Sequence, residues 1–330
     1  MKKNKLKVVA VGGGNGSAIV LEALKNYADR LEISAVISVS DSGGSSGELR
    51  RQFKLPPPGD ILRAVLGLSP YDYRLLKKIF YGNRFEHLKK FKVKGAVRGL
   101  KGHNLGNLFL MMLANAEGDY LNAIRALEKA VAAQGHVYPV SLELTDLGVE
   151  LANGRAVIGE GNIDRPNYSR KLKIEKAFLK PLVKVYKQAE QVLKSADVII
   201  FCPGSLYCSV IAALLPRGVK EAIARNGRAK LVYIPGDAYE INGETGPEKL
   251  SEFVSQIEQY LPRALDVVMY NDCELSGRLK KRYKEKKWAQ FKKDPEDIKG
   301  KKLVSGDFEK EAGGLSSAKL APMLKKIIFV

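Results

Sequence analysis

Hydrophobic and polar positions near the N-terminus alternate between two patterns. Residues 6–11 and 33–40 form apolar runs typical of buried strands, and residues 17–28 between them carry apolar side chains at nearly helical spacing. Each apolar run ends in a glycine-rich turn. Strand, turn, helix and strand within about forty residues predict the opening of a doubly wound α/β fold.

The rest of the chain continues the alternation of strand and helix, with one interruption. Further buried strands are predicted at 197–202, 229–234, 267–270 and 302–304. Further helices are predicted at 60–68, 73–81, 108–114, 120–133, 182–196, 210–215, 247–259 and 318–326. Between 136 and 163 apolar residues recur at period two between glycines. This pattern predicts short antiparallel strands inserted in the domain, with Asn153-Gly154 as a hairpin turn.

Three turns at predicted strand ends combine glycine with serine or asparagine. They are Gly-Gly-Gly-Asn-Gly at 12–16, Asp-Ser-Gly-Gly-Ser-Ser-Gly at 41–47 and Pro-Gly-Ser-Leu-Tyr-Cys-Ser at 203–209. Glycine lets a backbone approach a ligand closely, and a helix that starts after such a turn directs free N–H groups at the ligand. Ligands of doubly wound sheets bind outside the carboxyl ends of the strands. The three turns therefore predict one shared pocket for a phosphate-rich ligand.

The first turn departs from the dinucleotide-binding fingerprint. That fingerprint requires Gly-x-Gly-x-x-Gly, but Ser17 occupies its last position, so the spacing is Gly-x-Gly-x-Gly. Asp41, the carboxylate that could reach a ribose, opens a second glycine-serine turn where a dehydrogenase usually has an ordinary one. The pattern argues against NAD and for a different phosphate-containing ligand.

Two further groups of polar residues begin predicted helices. Asp60 either caps the helix 60–68 or faces the glycine turns, toward a metal or a hydroxyl, with Arg63 toward phosphate. His103, Asn104 and Asn107 begin the next apolar helix. Asn104 suits an N-cap. His103 either packs at the helix start or, with the asparagines, contacts the base or the phosphates of a nucleotide.

Composition narrows the class of protein. The chain of 330 residues is 45% hydrophobic and 28% charged, which is ordinary for a globular protein, and its three cysteines lack metal-ligand spacing. No apolar stretch approaches the roughly 18–20 residues of a membrane span. The N-terminus has no secretory signal, so we expect a cytoplasmic protein. The net charge of +19 favours anionic partners, but it is dispersed and has no nucleic-acid-binding signature. We therefore do not expect nucleic acid as the partner.

Several motifs, taken in chain order, resemble those of one family. Gly-Gly-Gly-Asn-Gly, Asp-Ser-Gly-Gly-Ser-Ser-Gly, Pro-Pro-Gly-Asp, Gly-His-Asn-Leu-Gly-Asn, Pro-Gly-Ser-Leu-Tyr and Gly-Glu-Thr resemble the 2-phospho-L-lactate transferases and bacterial gluconeogenesis factors. The resemblance implies an α/β fold, a Rossmann-like three-layer sandwich with a mainly parallel sheet and an inserted helical/β lobe. We expect a single nucleotide-binding domain over 1–330. Its lobe is expected at about 68–170, and a basic C-terminal extension at about 276–330.

The resemblance also implies a nucleoside diphosphate ligand, either a UDP-sugar or a GDP-linked donor. The expected nucleotide contacts are Gly13, Gly14, Asn15, Gly16, Ser42, Gly43, Gly44, Ser45, Ser46, Arg63, His103, Asn104, Asn107, Gly204, Ser205 and Tyr207. Family members commonly have threonine in place of Asn15 and Asp-Asp in place of Asp41-Ser42. The regulators often have Arg-His-Asp at 315–317, where this chain has Leu-Ser-Ser. The missing second carboxylate weakens any metal site built on the second turn alone.

Two functions follow from the resemblance. The first is a cytoplasmic regulator of the gluconeogenesis-factor type that binds a UDP-sugar and affects carbon metabolism and cell shape. The alternative is an enzyme that moves a phospholactyl group from a GDP-activated donor to a deazaflavin, with Asp60 and Asp41 as catalytic residues and ligands of Mg²⁺. We favour the regulator because the motifs offer donors for phosphate without a clear nucleophile or acid–base pair. A homo-oligomer is left open.

Overall fold

The computed structural model describes residues 4–82 and 102–329, whose strands form one large sheet and two small ones. The strands are β1 (Leu6–Gly12), β2 (Leu31–Ile37), β3 (His136–Pro139), β4 (Asp146–Leu151), β5 (Ala156–Ile158), β6 (Ile174–Lys180), β7 (Val198–Phe201), β8 (Lys230–Tyr233), β9 (Tyr239–Glu240), β10 (Val267–Asn271), β11 (Trp288–Ala289) and β12 (Lys302–Gly306). The helices are α1 (Gly14–Leu24), α2 (Gly44–Phe53), α3 (Pro58–Leu68), α4 (Tyr73–Gly82), α5 (Leu105–Glu117), α6 (Tyr120–Ala130), α7 (Glu160–Asp164), α8 (Lys187–Ser195), α9 (Val219–Arg225), α10 (Leu250–Glu258), α11 (Gly277–Glu285) and α12 (Ser317–Ile328). Short helical turns lie at Lys25–Tyr27, Leu206–Val210, Ile211–Ala213 and Pro295–Asp297.

The large sheet has seven strands in the order β12-β10-β8-β7-β1-β2-β3, and every neighbouring pair is parallel. The strand order reverses at β1, because β2 and β3 lie on one side of it and β7 on the other. At such a reversal the connections leave the sheet in opposite directions and open a crevice outside the carboxyl ends. The predicted α/β fold with a mainly parallel sheet is confirmed.

Helices cover both faces of this sheet and make it the middle of three layers. In β1, Val9 and Val11 belong to the core that includes residues of α8, α9 and α10, whereas Val8 and Ala10 belong to the core that includes α1, α3 and α5. Because both faces are buried, the central strands are apolar throughout rather than alternating. This burial explains why the sequence of β1 is a nearly continuous apolar run.

The inserted strands agree only in part with the period-two pattern at 136–163. Strands β4, β5 and β6 form an antiparallel sheet, and a turn with Gly154 at φ +79° joins β4 to β5, which confirms the predicted hairpin. The prediction is wrong for β3, which pairs in parallel with β2 at the edge of the large sheet. Four residues of alternating burial are too few to distinguish a parallel edge strand from a hairpin strand.

Two predicted helices differ from the observed ones. Helix α8 begins at Lys187 rather than at 182, because the preceding segment is extended and its Val185 and Tyr186 N–H groups donate to Arg217 and Val140. The predicted helix at 210–215 is replaced by two short helical turns. Residues 83–101, which belong to the lobe expected at about 68–170, lie outside the described residues. Among the helices that are described, none has the length and apolar character needed to cross a membrane.

Candidate functional site

The first glycine turn joins β1 to α1 and packs against the third turn. Gly14 has a φ of +62°, and a Cβ on Gly16 would lie 1.6 Å from the carbonyl oxygen of Pro203, so this approach requires glycine. The N-cap of α1 is Gly13, which has no side chain to accept from the first N–H groups of the helix. These donors and the positive end of the helix dipole face the carboxyl edge of the sheet.

The second glycine turn follows β2 and begins α2 in the same way. Its N-cap, Gly43, again provides no side-chain acceptor for the first N–H groups of the helix. The turn is fixed by Asp41, whose Oδ1 accepts from the N–H of Gly43 at 2.9 Å. A Cβ on Gly59 would lie 2.4 Å from Ser46 Oγ, so glycine at 59 is what lets α3 approach the start of α2.

The third turn, after β7, directs some of its amides inward. The N–H groups of Tyr207 and Cys208 donate to the carboxylate of Glu244 at 3.2–3.3 Å. The side chain of Tyr207 is buried, and its hydroxyl bonds within the core. Of the contacts predicted in this turn, Gly204 and Ser205 reach a cavity, whereas Tyr207 does not.

The three turns line one cavity of about 660 Å³, which we call the glycine-loop cavity. It lies outside the carboxyl ends of β1, β2 and β7, at the reversal of the strand order, where ligands of such sheets bind. The residues singled out from the sequence that line it are Gly14, Asn15, Gly16, Asp41, Gly43, Gly44, Ser45, Ser46, Asp60, Arg63, Asn104, Asn107, Gly204 and Ser205. The structure therefore brings most of them together.

Four of the predicted contacts do not line the cavity. They are Gly13, Ser42, His103 and Tyr207. The hydroxyl of Ser42 faces α7 and accepts from the N–H of Gly161 at 3.3 Å. His103 is 1% exposed, and its Nδ1 lies 2.8 Å from the Oγ of Ser45. His103 is therefore connected to the cavity through its contact with Ser45.

Two asparagines at the start of α5 line the cavity beside the second turn. Asn104 Oδ1 accepts from the N–H of Asn107 at 2.8 Å, which confirms Asn104 as the N-cap. Asn107 is 2% exposed, and its Nδ2 donates to Ser45 Oγ at 3.3 Å. Among the described residues, its Oδ1 has no hydrogen-bond partner. A buried acceptor of this kind is suited to a ligand that brings a donor.

Asp60 and Arg63 form an ion pair on α3, with Arg63 Nη1 2.6 Å from Asp60 Oδ1. The interpretation of Asp60 as an N-cap is wrong, because α3 begins at Pro58 and Asp60 lies within its first turn. Asp41 is close to this pair. Burial, together with the charge of Asp60, raises the pKa of Asp41 to about 6. Near neutral pH this carboxylate is therefore close to the point at which it takes up a proton.

Glu160 and Asp164 of α7 form an acidic wall of the cavity that no sequence motif predicted. Burial and the nearby charge of Asp41 raise the pKa of Glu160 to about 8. Burial also raises the pKa of Asp164. Helix α7 follows the inserted hairpin, so only the tertiary packing of the insert brings these carboxylates to the glycine turns.

The donor set of the cavity fits a divalent cation. Asp41, Asp60 and Glu160 provide the carboxylate oxygens that Mg²⁺ prefers. Ligand atoms of Glu160, Asp164 and Cys208 also lie within 4.8 Å of one another. A cation among these groups would offset the repulsion between their negative charges.

Comparison with known proteins shows which family the chain belongs to. Residues 8–308 match the family model described as 2-phospho-L-lactate transferase CofD. The chain belongs to this family. It is 38% identical over 293 residues to a putative gluconeogenesis factor of Thermotoga maritima, and the match covers 89% of this chain and 87% of that protein. It is also 32% identical over 297 residues to the gluconeogenesis factor of Bacillus subtilis, covering 89% and 88%.

A solved structure has the same fold over nearly the whole chain. The X-ray crystal structure of a Bacillus halodurans protein superposes with a TM-score of 0.82 at 31% sequence identity, covering 99% of this chain and 100% of that one. A second crystal structure of the same protein, described as a member of the UPF0052 family, superposes with a TM-score of 0.83 at 30% sequence identity, covering 98% of this chain and 99% of that one. The predicted membership of the transferase and gluconeogenesis-factor family is confirmed.

Proposed function

We propose that the chain binds a nucleoside diphosphate ligand, a UDP-sugar, in the glycine-loop cavity. One observation carries the proposal: α1 and α2 both begin at this cavity without a side-chain cap, after neighbouring parallel strands. Two such helix starts supply N–H donors and positive dipole ends for two phosphate groups. Arg63 and Arg165 line the same cavity and add positive charge.

In this proposal the protein is a cytoplasmic regulator of the gluconeogenesis-factor type. The Thermotoga maritima and Bacillus subtilis relatives carry that name, the former as a putative factor. The ligand is bound and released unchanged, and its occupancy determines how the protein affects carbon metabolism and cell shape. The cavity wall supports binding because backbone amides and small hydroxyl side chains form much of it.

Calorimetry on the full chain with UDP-N-acetylglucosamine, GDP and NAD tests the proposal. We expect the UDP-sugar to bind without turnover. Ser45→Asp should weaken binding roughly 100-fold, because it places a carboxylate beside the diphosphate. Ser276→Asp is the matched control, because Ser276 caps α11, away from the cavity, and aspartate also caps well. Binding of NAD alone, or equal affinity of the two variants, would contradict the proposal.

A second candidate function, phospholactyl transfer, is favoured by the acidic walls of the cavity. Asp41 and Asp60 would hold Mg²⁺, which when bound neutralises the charge of a GDP-linked donor. Arg63 would then position the donor phosphates, and the Ser45–His103 contact would orient a hydroxyl at the same site. Tight GDP binding, with transfer to a deazaflavin in the presence of Mg²⁺, would support this candidate and exclude the regulator.

A further inference from the structure

A second cavity, of about 370 Å³, adjoins the glycine-loop cavity. The two share Asp164, Gly204 and Ser205 in their linings, so one ligand can occupy both across the third turn. The Gly-Glu-Thr motif at 243–245 contributes to the lining of the second cavity, but its aromatic residues belong to no motif singled out in the sequence. The second cavity lies beside the start of α10 and the two-stranded ribbon of β9 and β11, two strands that are about fifty residues apart in the chain.

The walls of this second cavity are rich in aromatic rings. The four aromatic residues that line it are Tyr239, Phe253, Trp288 and Phe291, and we call it the aromatic cavity. Phe253 and Phe291 pack with ring centroids 5.2 Å apart. Trp288 is held by an edge contact with Tyr283 at 5.7 Å and by Lys286 over its ring at 4.2 Å. The rings are therefore fixed by contacts within the protein.

Several polar groups around the aromatic cavity already have partners. Arg170 donates to the carbonyl oxygen of Gly243, and Lys173 donates to that of Gly246 at 3.2 Å. Glu244 accepts from the amides of the third turn. A sugar with several hydroxyls needs many hydrogen-bond partners, whereas a planar heteroaromatic ring binds mainly through stacking. The fixed rings and engaged polar groups favour the planar ring.

We propose that the aromatic cavity binds the nucleobase of the ligand whose diphosphate occupies the glycine-loop cavity. This inference rests on the proposed function and extends it by assigning a place to the base. The sugar of a nucleotide-sugar then lies on the other side of the diphosphate, toward Asn107 and the carboxylates of the glycine-loop cavity. Asn107 Oδ1, buried without a partner among the described residues, is available there for a sugar hydroxyl.

The fluorescence of Trp288 reports directly on ligand binding in the aromatic cavity, because Trp288 is the only tryptophan in the chain. Its emission is recorded while the full chain is titrated with UDP, UDP-N-acetylglucosamine and inorganic pyrophosphate, and binding is measured in parallel by calorimetry. We expect UDP and the UDP-sugar to change the emission equally and pyrophosphate to bind without changing it. A change that requires the sugar would overturn the inference.

Two variants test the inference without relying on fluorescence. Tyr239→Ala should weaken UDP binding roughly 5- to 100-fold, since a stacked ring is lost, and should leave pyrophosphate affinity unchanged. Tyr239 is partly exposed, so the variant should fold. Tyr27→Ala is the matched control, because Tyr27 packs against Phe329 beyond the far end of α1.

The outcomes separate this inference from the proposed function. If UDP binds equally well to wild type and Tyr239→Ala, and the Trp288 emission stays constant, the nucleobase assignment is overturned and the proposed function stands. If UDP, the UDP-sugar and pyrophosphate all fail to bind, the proposed function is overturned and the nucleobase assignment with it.

Discussion

The carboxyl edge of the parallel sheet has two halves that differ in what occupies them. The open half, at the ends of β7, β1 and β2, is lined by glycine turns and surrounds the glycine-loop cavity. The filled half, at the ends of β8, β10 and β12, holds a hydrogen-bonded network in which Asn271, Tyr283 and Glu309 are buried and Asp237 is partly buried. Both halves have the same strand direction, so topology alone does not make a binding site.

Side-chain size and internal bonding account for the difference. In the filled half the Tyr283 hydroxyl lies 3.0–3.1 Å from carboxylate oxygens of Glu309 and Asp237, and Asn271 Nδ2 donates to Glu309 at 2.9 Å. The N–H of Gly314 also donates to Glu309, at 2.6 Å. The filled half thus satisfies its own polar groups. The open half leaves helix N–H groups without a side-chain cap, which is what an anionic ligand requires.

The largest expected effect comes from adding a single methyl group between the first and third turns of the open half. Gly16→Ala places a Cβ 1.6 Å from the Pro203 carbonyl oxygen, which is backbone and cannot move aside freely. We expect the free energy of unfolding to fall by about 3 kcal/mol or more and UDP-sugar binding to be lost. Gly161→Ala is the control, because its Cβ meets no atom within 4 Å. Equal denaturation midpoints for the two variants would contradict the close approach of the turns.

The next largest expected effect is the pH dependence of stability that the filled half produces. Burial and the charge of Glu309 raise the pKa of Asp237 to about 7, from an ordinary 3.8. The folded state therefore keeps a proton that the unfolded state has released, and stability falls as the pH rises from about 4 to about 7. In Glu309→Gln this fall should be about 1–2 kcal/mol smaller, because removing the charge lowers the pKa of Asp237.

Urea denaturation at a series of pH values measures this effect. Glu311→Gln is the matched control, because Glu311 is exposed on the same segment. Asp41 and Glu160 also have raised pKa values and contribute to the slope in all three proteins. An identical slope in the Glu309 and Glu311 variants would show that the carboxyl pair in the filled half is not coupled.

A smaller effect concerns the acidic wall of the open half. The pKa of Glu160 is raised to about 8, so its carboxylate becomes charged as the pH passes from 7 to 9. In metal-free buffer we expect UDP-sugar affinity to fall roughly 10-fold over this range, since the new charge repels the diphosphate. Glu160→Gln should bind with little pH dependence, whereas the exposed Glu150→Gln should behave as wild type. Parallel pH profiles would remove Glu160 from the site.

The smallest expected effect is a difference in ligand affinity between two serine variants of the second glycine turn. Ser42→Ala should change UDP-sugar affinity less than 2-fold, because its hydroxyl bonds to the amide of Gly161 and does not line the cavity. Ser45→Ala should weaken binding several-fold, because Ser45 lines the cavity and is held by His103 and Asn107. Calorimetry compares the two directly. A larger loss for Ser42→Ala would mean that the turn presents its other face to the ligand.

The turns of the open half were predictable from the sequence because they depend on residues that are adjacent in the chain. Glycine turns after apolar runs, such as Gly12–Gly16, fix both the strand end and the helix start, so the cavity follows once parallel strands are assumed. Asn104 was recognisable as an N-cap for the same reason. The prediction of Asp60 as an N-cap was wrong because the helix begins at Pro58, two residues earlier than the pattern of apolar residues suggests.

The acidic wall and the aromatic cavity depend on tertiary packing, which leaves no local signal. Glu160 lies in a five-residue helix after the inserted hairpin, and the insert must fold onto the core before Glu160 meets Asp41. Trp288 and Tyr239 meet only through pairing of β11 with β9 across about fifty residues. Tyr207 shows the opposite case, since a residue in a recognised motif points into the core.

A crystal structure of the full chain with UDP-N-acetylglucosamine would show where the diphosphate binds. We expect diphosphate oxygens within hydrogen-bond distance of backbone N–H groups at the starts of α1 and α2, with the filled half unchanged. An ordered ligand bound at Asp237 and Glu309, or anywhere that leaves both helix starts free of phosphate, would contradict this expectation.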